Sequence, residues 1–152
     1  MEALARPILE ARLSRGERFT SLVIGLAAAA PVVIAAFLRA DPSGLGTHVQ
    51  LGMPRCTWPT AMGITCPSCG MTTAFAHAAA GDLVASLRTQ PMGFLLAVLA
   101  TATAILGLLG AATGSRLGYW LCRSPGRAGW WAIGSIALAS WLLTTARLKG
   151  WT

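Results

Sequence analysis

The chain is short of charge, and shortest of acid. Only 5 of its 152 residues are Asp or Glu, and charged residues of both signs make up 11%, against roughly a quarter in an ordinary soluble domain. A hydrophobic share of 55% and a mean hydropathy of +0.62 accompany that deficit. The composition excludes an ordinary soluble domain and fits a membrane protein. The shortage of acid leaves a net charge of +7 and a pI near 10.6. The basic residues stand singly between apolar blocks and form no stripe, so nucleic acid is not an expected partner. Other absences narrow the function. No hydrolase, kinase or nucleotide-binding pattern occurs. No Cys-x-x-Cys-His is present, which argues against covalent haem. The long apolar runs carry no charged side chain, which argues against a transporter or channel.

What is present are three such runs, at residues 19–38, 91–113 and 128–146. Each is long and apolar enough to cross a hydrocarbon core about 30 Å thick, which needs roughly 20 residues of helix. Pro31 is expected to kink the first, and Pro91 to open the second, where a missing N–H costs nothing. Trp130, Trp131 and Trp141, with Trp151 just beyond, suit interfacial anchoring of the third. The first run exceeds a signal-peptide core and lacks a small-x-small exit, so it reads as a retained span. The expected fold is an all-α membrane protein, one membrane domain over residues 1–152, with three transmembrane helices.

Arg6, Arg12, Arg15 and Arg18 precede the first run, and Arg116, Arg123 and Arg127 lie between the second and third. The opposite side carries Arg39, Arg55 and Arg88 over a longer stretch, with Arg147 and Lys149 at the tail. That bias predicts a cytoplasmic N-terminus and an extracytoplasmic connection over residues 39–90. A connection of this length between two spans is ordered by something or is disordered, and Trp58, Met62, Ile64, Phe75 and Leu87 make it too apolar for a floppy linker. Asp41, Pro42, Ser43 and Gly44 read as a turn, and residues 54–70 as compact irregular structure. Residues 71–80 then suit a short helix entered at Gly70 and ended by Gly81, with Asp82 the N-cap of a second short helix over 83–89. Both are expected along the outer membrane interface beneath the cysteines.

Cys56, Met62, Gly63, Cys66, Pro67, Cys69, Gly70, Thr72 or Thr73, Ala74, Gly81, Asp82 and Pro91 follow an ordered pattern. It resembles that of a family of small bacterial membrane proteins, domain of unknown function twenty-seven fifty-two. The resemblance covers about a quarter of the chain and implies a bacterial inner-membrane location and an architecture, but no established activity. Thr73 stands where the family usually has arginine, and Gln90 where it usually has asparagine. A role for that arginine is not carried over.

The cysteines therefore need a chemical reading. Cys56, Cys66 and Cys69 lie close in sequence, whereas Cys122 falls on the predicted cytoplasmic side. In an oxidising compartment a nearby pair defaults to a disulfide, Cys66 with Cys69 or either of them with Cys56, and three thiols leave one over. The same pair in a proline turn suits thiol exchange, with Cys56 as a resolving thiol. Metal is the other use. Structural zinc takes four ligands, here Cys56, Cys66, Cys69 and His77, or His48 in place of His77. Copper(I) also suits the thiolates, with Met53, Met62 or Met71 beside them.

Two function classes follow. The favoured one is an accessory or assembly subunit, not an enzyme, whose cysteine-clamped outer loop docks on another membrane protein or a second copy. Small residues at Gly25, Gly107, Gly110, Ala111 and Gly114 permit the close helix approach this needs. The alternative is a membrane thiol-disulfide oxidoreductase using Cys66 and Cys69.

Overall fold

A computed structural model describes residues 12–115 and 127–150, and every described regular element is helical. Helix α1 spans Arg15–Ala36, α2 Trp58–Met62, α3 Met71–Ala79, α4 Leu83–Thr89, α5 Pro91–Thr113 and α6 Arg127–Leu148, with a 3-10 turn at Thr47–Leu51. Arg6, Arg116, Cys122, Arg123 and Trp151, on which parts of the topology argument rest, lie outside the described residues. Helices α1 and α5 are long and apolar enough to cross a membrane, with hydropathies of 2.2 and 2.3. Among the described residues no other helix meets that measure. Helix α6 occupies the place expected of a third span, and its sequence carries Ser135, Ser140, Thr144 and Thr145 among the apolar residues.

Helix α1 begins four residues before the apolar run because Ser14 and Glu17 close a capping box. The Ser14 N–H donates to Glu17 Oε2 at 2.7 Å, and the Glu17 N–H to Ser14 Oγ at 3.3 Å. Two of the first helical N–H groups that have no intrahelical acceptor are handled this way. Pro31 lies inside the helix.

Contacts divide the chain into two compact units, Met1–Pro31 with Leu99–Ser124, and Val32–Val98 with Pro125–Thr152. In the first, α1 meets the later part of α5 through glycine. A Cβ on Gly107 would stand 2.8 Å from Gly25 Cα, so only hydrogen fits where the backbones touch. Arg18 finishes the contact. Its Nε donates to the Ala111 carbonyl at 2.9 Å and a terminal nitrogen to Ala112 at 2.7 Å. Those carbonyls belong to the last turn of α5, where helical partners run out and the dipole favours a cation.

The second unit holds the cysteine segment. Asp41 opens it with a turn in which the Gly44 N–H reaches the Asp41 carbonyl at 2.9 Å and the Ser43 N–H reaches Asp41 Oδ1 at 2.8 Å. The Ser43 hydroxyl, which also donates to Asp41 Oδ1, and then the Ser43 N–H lower the Asp41 pKa. Helix α3 is followed by Gly81, whose φ of 85° few other residues adopt. Asp82 then caps α4 by accepting from the Ala85 N–H at 2.9 Å. The polar face of α4 is the one that packs: Ser86 is fully buried and donates to the Ala74 carbonyl of α3 at 2.6 Å. Leu83, Val84 and Leu87 point outward, 52%, 61% and 47% exposed. This short helix keeps its apolar residues on the outside, the reverse of a helix packed in a soluble core.

Candidate functional site

The site is assembled by three consecutive reversals of the chain. Cys56 lies two residues before the short helix α2, which is capped at its end by Gly63 with φ 67° and a Gly63 N–H bond to the Pro59 carbonyl at 3.2 Å. Thr65 follows, fully buried. A tight turn then carries both cysteines of the pair, closed by the Cys69 N–H on the Cys66 carbonyl at 3.0 Å. Gly70 caps α3 with φ 85°, and a Cβ there would sit 3.1 Å from the Gly44 carbonyl oxygen, so both conformation and space require glycine.

The three sulfurs converge. Cys66 Sγ and Cys69 Sγ are 2.6 Å apart, and Cys69 Sγ is 3.5 Å from Cys56 Sγ. All three lie within 4.8 Å of one another, close enough to hold a metal ion together. Cys69 is buried, whereas Cys56 and Cys66 are half-buried. The group of mutually close ligand atoms does not extend to His77 or His48. His77 sits in the last turn of α3, and His48 Nε2 lies 3.2 Å from the Pro54 carbonyl.

The environment divides the pair electrically. Burial works to raise the Cys66 pKa, but hydrogen bonds from the Cys69 thiol, the Ser68 hydroxyl, the Cys56 thiol and the Ser68 N–H outweigh it, and the net shift is downward. Burial pushes Cys69 up to about 12, and giving its hydrogen bonds to Cys66 and Cys56 adds to the rise. The two shifts run in opposite directions, so Cys66 is the more readily ionised thiol of the pair and Cys69 the one that holds its proton.

Residues to which the sequence assigned other roles, or none, hold the turn in place. The Gln90 amide nitrogen donates to the Pro67 carbonyl at 3.0 Å, and Gln90 is 1% exposed. Its Oε1 is buried without a hydrogen-bond partner. On the other flank, Trp141 Nε1 donates to the Thr65 carbonyl at 2.7 Å, so this indole serves the cysteine segment rather than acting only as an interfacial anchor. Thr73, in the position of the resembled family's arginine, is buried with its hydroxyl 2.9 Å from that of Thr47. Thr47 Oγ1 in turn accepts from the Asp41 N–H at 2.9 Å. The sequence marked Gln90 only as a departure from the resembled family's asparagine and Trp141 only as an interfacial anchor, and nothing local marked Thr47.

No curated protein and no solved structure matches the chain significantly. The match that is found covers the thiol site, α3, α4 and the beginning of α5: residues 56–104, about a third of the chain, fit the model of the family described as Protein of unknown function (DUF2752).

Proposed function

We propose that this chain is a small integral membrane protein that carries out thiol-disulfide exchange through Cys66 and Cys69 on the extracytoplasmic face. The observation that carries the reading is the 2.6 Å separation of those two sulfurs. Two sulfurs brought together by one short turn are placed to form a sulfur-sulfur bond. Two apolar helices and the arginine bias toward the N-terminal side support the membrane setting and its orientation.

The chemistry uses the asymmetry of the pair. Cys66 thiolate attacks a disulfide of a partner protein, forming a mixed disulfide and releasing one partner sulfur as thiolate, which takes up a proton. Cys69 then loses its proton and attacks the Cys66 sulfur. The Cys66–Cys69 disulfide forms, and the second partner sulfur leaves. The partner disulfide is reduced by two electrons and the cysteine pair is oxidised by two. The reverse sequence delivers a disulfide to a partner dithiol. Cys56, 3.5 Å from Cys69, is the third thiol in reach.

A metal-clamped assembly module is the second reading, favoured by the convergence of all three sulfurs. Zinc would be held by Cys56, Cys66 and Cys69, with a fourth ligand from His77 or water. One experiment separates the two readings. The detergent-purified chain is analysed for metal, and its Cys56→Ser/Cys69→Ser variant is incubated with oxidised glutathione. Exchange predicts no stoichiometric metal and a stable Cys66–glutathione adduct by mass spectrometry. One zinc per chain, with three thiols released only on chelation, would sink the exchange reading.

A further inference from the structure

A cavity of about 620 Å³ opens in the same unit as the cysteines but is walled by other residues. Its walls are the Asp41 turn from Pro42 to Leu45, one side of α4 and the last turns of α6. The size lies within the range of small-molecule sites, roughly 300–1,000 Å³. Two guanidinium groups line it, Arg88 from α4 and Arg147 from α6, with hydroxyl-bearing Ser43, Thr89 and Thr144 beside them. Asp82 is the one carboxylate in the wall, and its Oδ1 is already engaged by the Ala85 N–H as the cap of α4. Net charge in the cavity is therefore positive, in a shape that also offers Leu45, Val84 and Ala85 as apolar lining.

We infer that this cavity binds a phosphate group, and that the phosphate is the headgroup of an anionic lipid. A guanidinium recognises phosphate through parallel N–H bonds, and the arginines carry this recognition, since the Ser43 and Thr144 hydroxyls already donate to Asp41 Oδ1 and the Ser140 carbonyl. The lipid source rests on the membrane reading above and on a second observation. Val84 is a wall residue and also 61% exposed on the outward apolar face of α4, beside Leu83 and Leu87. A bound amphiphile would place its phosphate at the arginines and its chains along that face. Free phosphate shares the first half of this recognition but has no use for the apolar half.

The full chain, purified in a neutral detergent, is titrated with dioctanoyl phosphatidylglycerol, dioctanoyl phosphatidylcholine and inorganic phosphate, with binding read by native mass spectrometry and calorimetry. Phosphatidylglycerol is expected to bind at least about tenfold more tightly than either alternative, and Arg88→Gln and Arg147→Gln each to lose about tenfold. Arg55→Gln, outside the cavity, is expected to bind like the parent. Circular dichroism checks the fold of each variant. Where a glutamine variant does not fold, the Arg→Lys variant at that position takes its place and is expected to weaken binding, because lysine keeps the charge but not the fork. Equal binding of the two lipids, or unchanged binding in folded Arg88 and Arg147 variants, overturns the site. Inorganic phosphate binding as tightly as phosphatidylglycerol overturns the lipid as its source. None of these results depends on the state of the cysteines, so failure here is separable from failure of the exchange reading. Carbonate extraction of native membranes tests the membrane reading by itself.

Discussion

The indole N–H of Trp141 donates to the carbonyl of Thr65 at 2.7 Å, one residue before the first cysteine of the pair. The Thr65 hydroxyl meets that of Thr145 at 2.8 Å, and the Met92 N–H donates to Ser140 Oγ at 3.1 Å. One face of α6 thus grips both the cysteine segment and the first turn of α5. Trp141→Phe keeps an aromatic ring but loses the donor, about 1 kcal/mol for the hydrogen bond, together with the packing volume of the second ring. The measurable result is faster alkylation of Cys69 and earlier protease cutting between residues 57 and 70. Equal rates in the two proteins would mean that this bond does not hold the turn.

The two thiols of the pair are expected to titrate far apart. Iodoacetamide should modify Cys66 well before Cys69 as pH rises, because Cys66 is shifted down from 9.0 and Cys69 up to about 12. Stability follows with opposite signs. Between about pH 9 and 12 the folded chain keeps the Cys69 proton while the unfolded chain has lost it, so Cys69 makes stability fall as pH rises through that window. The Cys66 contribution is present above its unfolded pKa and is lost as pH falls through its lowered folded value. Thermal unfolding of the reduced chain across this range, compared with Cys69→Ser, should show a shallower alkaline decline in the variant. Parallel declines would contradict the assignment of the raised pKa to Cys69.

Close packing of α1 on α5 makes a third test. Gly107→Ala places a methyl 2.8 Å from Gly25 Cα and 2.9 Å from the Ser21 carbonyl oxygen, both backbone atoms that have no rotamer with which to retreat. A loss of about 1–3 kcal/mol follows from such overpacking, read as a lower melting temperature in detergent. Gly134→Ala in α6 is the control: nothing lies within 4 Å of its added Cβ, and helix propensity alone predicts a gain of up to about 1 kcal/mol.

Orientation is tested with an impermeant maleimide on intact, reduced cells. Cys56 and Cys66, both half-buried, should be labelled, and Cys122 should react only after the membrane is permeabilised. Labelling of Cys122 alone in intact cells would invert the topology and remove the oxidising compartment that thiol exchange requires.

Much of the helical content is written in neighbouring residues. Pro91 opens α5 where a helix loses nothing by lacking an N–H, and Asp82 supplies an acceptor to the free N–H groups of α4. The expected bounds of both helices agree with those observed, and α3 stops at Ala79, one residue before its expected end. The Ser14–Glu17 box was equally local, yet apolar length alone had set the start of α1 at Phe19. Residues 54–70, read as irregular, contain the single helical turn α2, because five residues between Thr57 and Gly63 are too few for periodicity to register.

The thiol site divides in the same way. Proline and glycine around Cys66 and Cys69 fix a turn whose sulfurs must face each other, so their closeness follows from sequence spacing. Whether Cys56 joins them depends on the reversal at Gly63, and Cys69 Sγ reaches Cys56 Sγ at 3.5 Å only because that turn folds back. Trp141 and Thr65 are 76 residues apart, and Arg88 and Arg147 meet one cavity from different helices. Caps, turns and apolar runs are decided by energies between residues a few positions apart, which the sequence displays. Pairings such as these are decided by which faces bury together, and that depends on the packing of the whole unit.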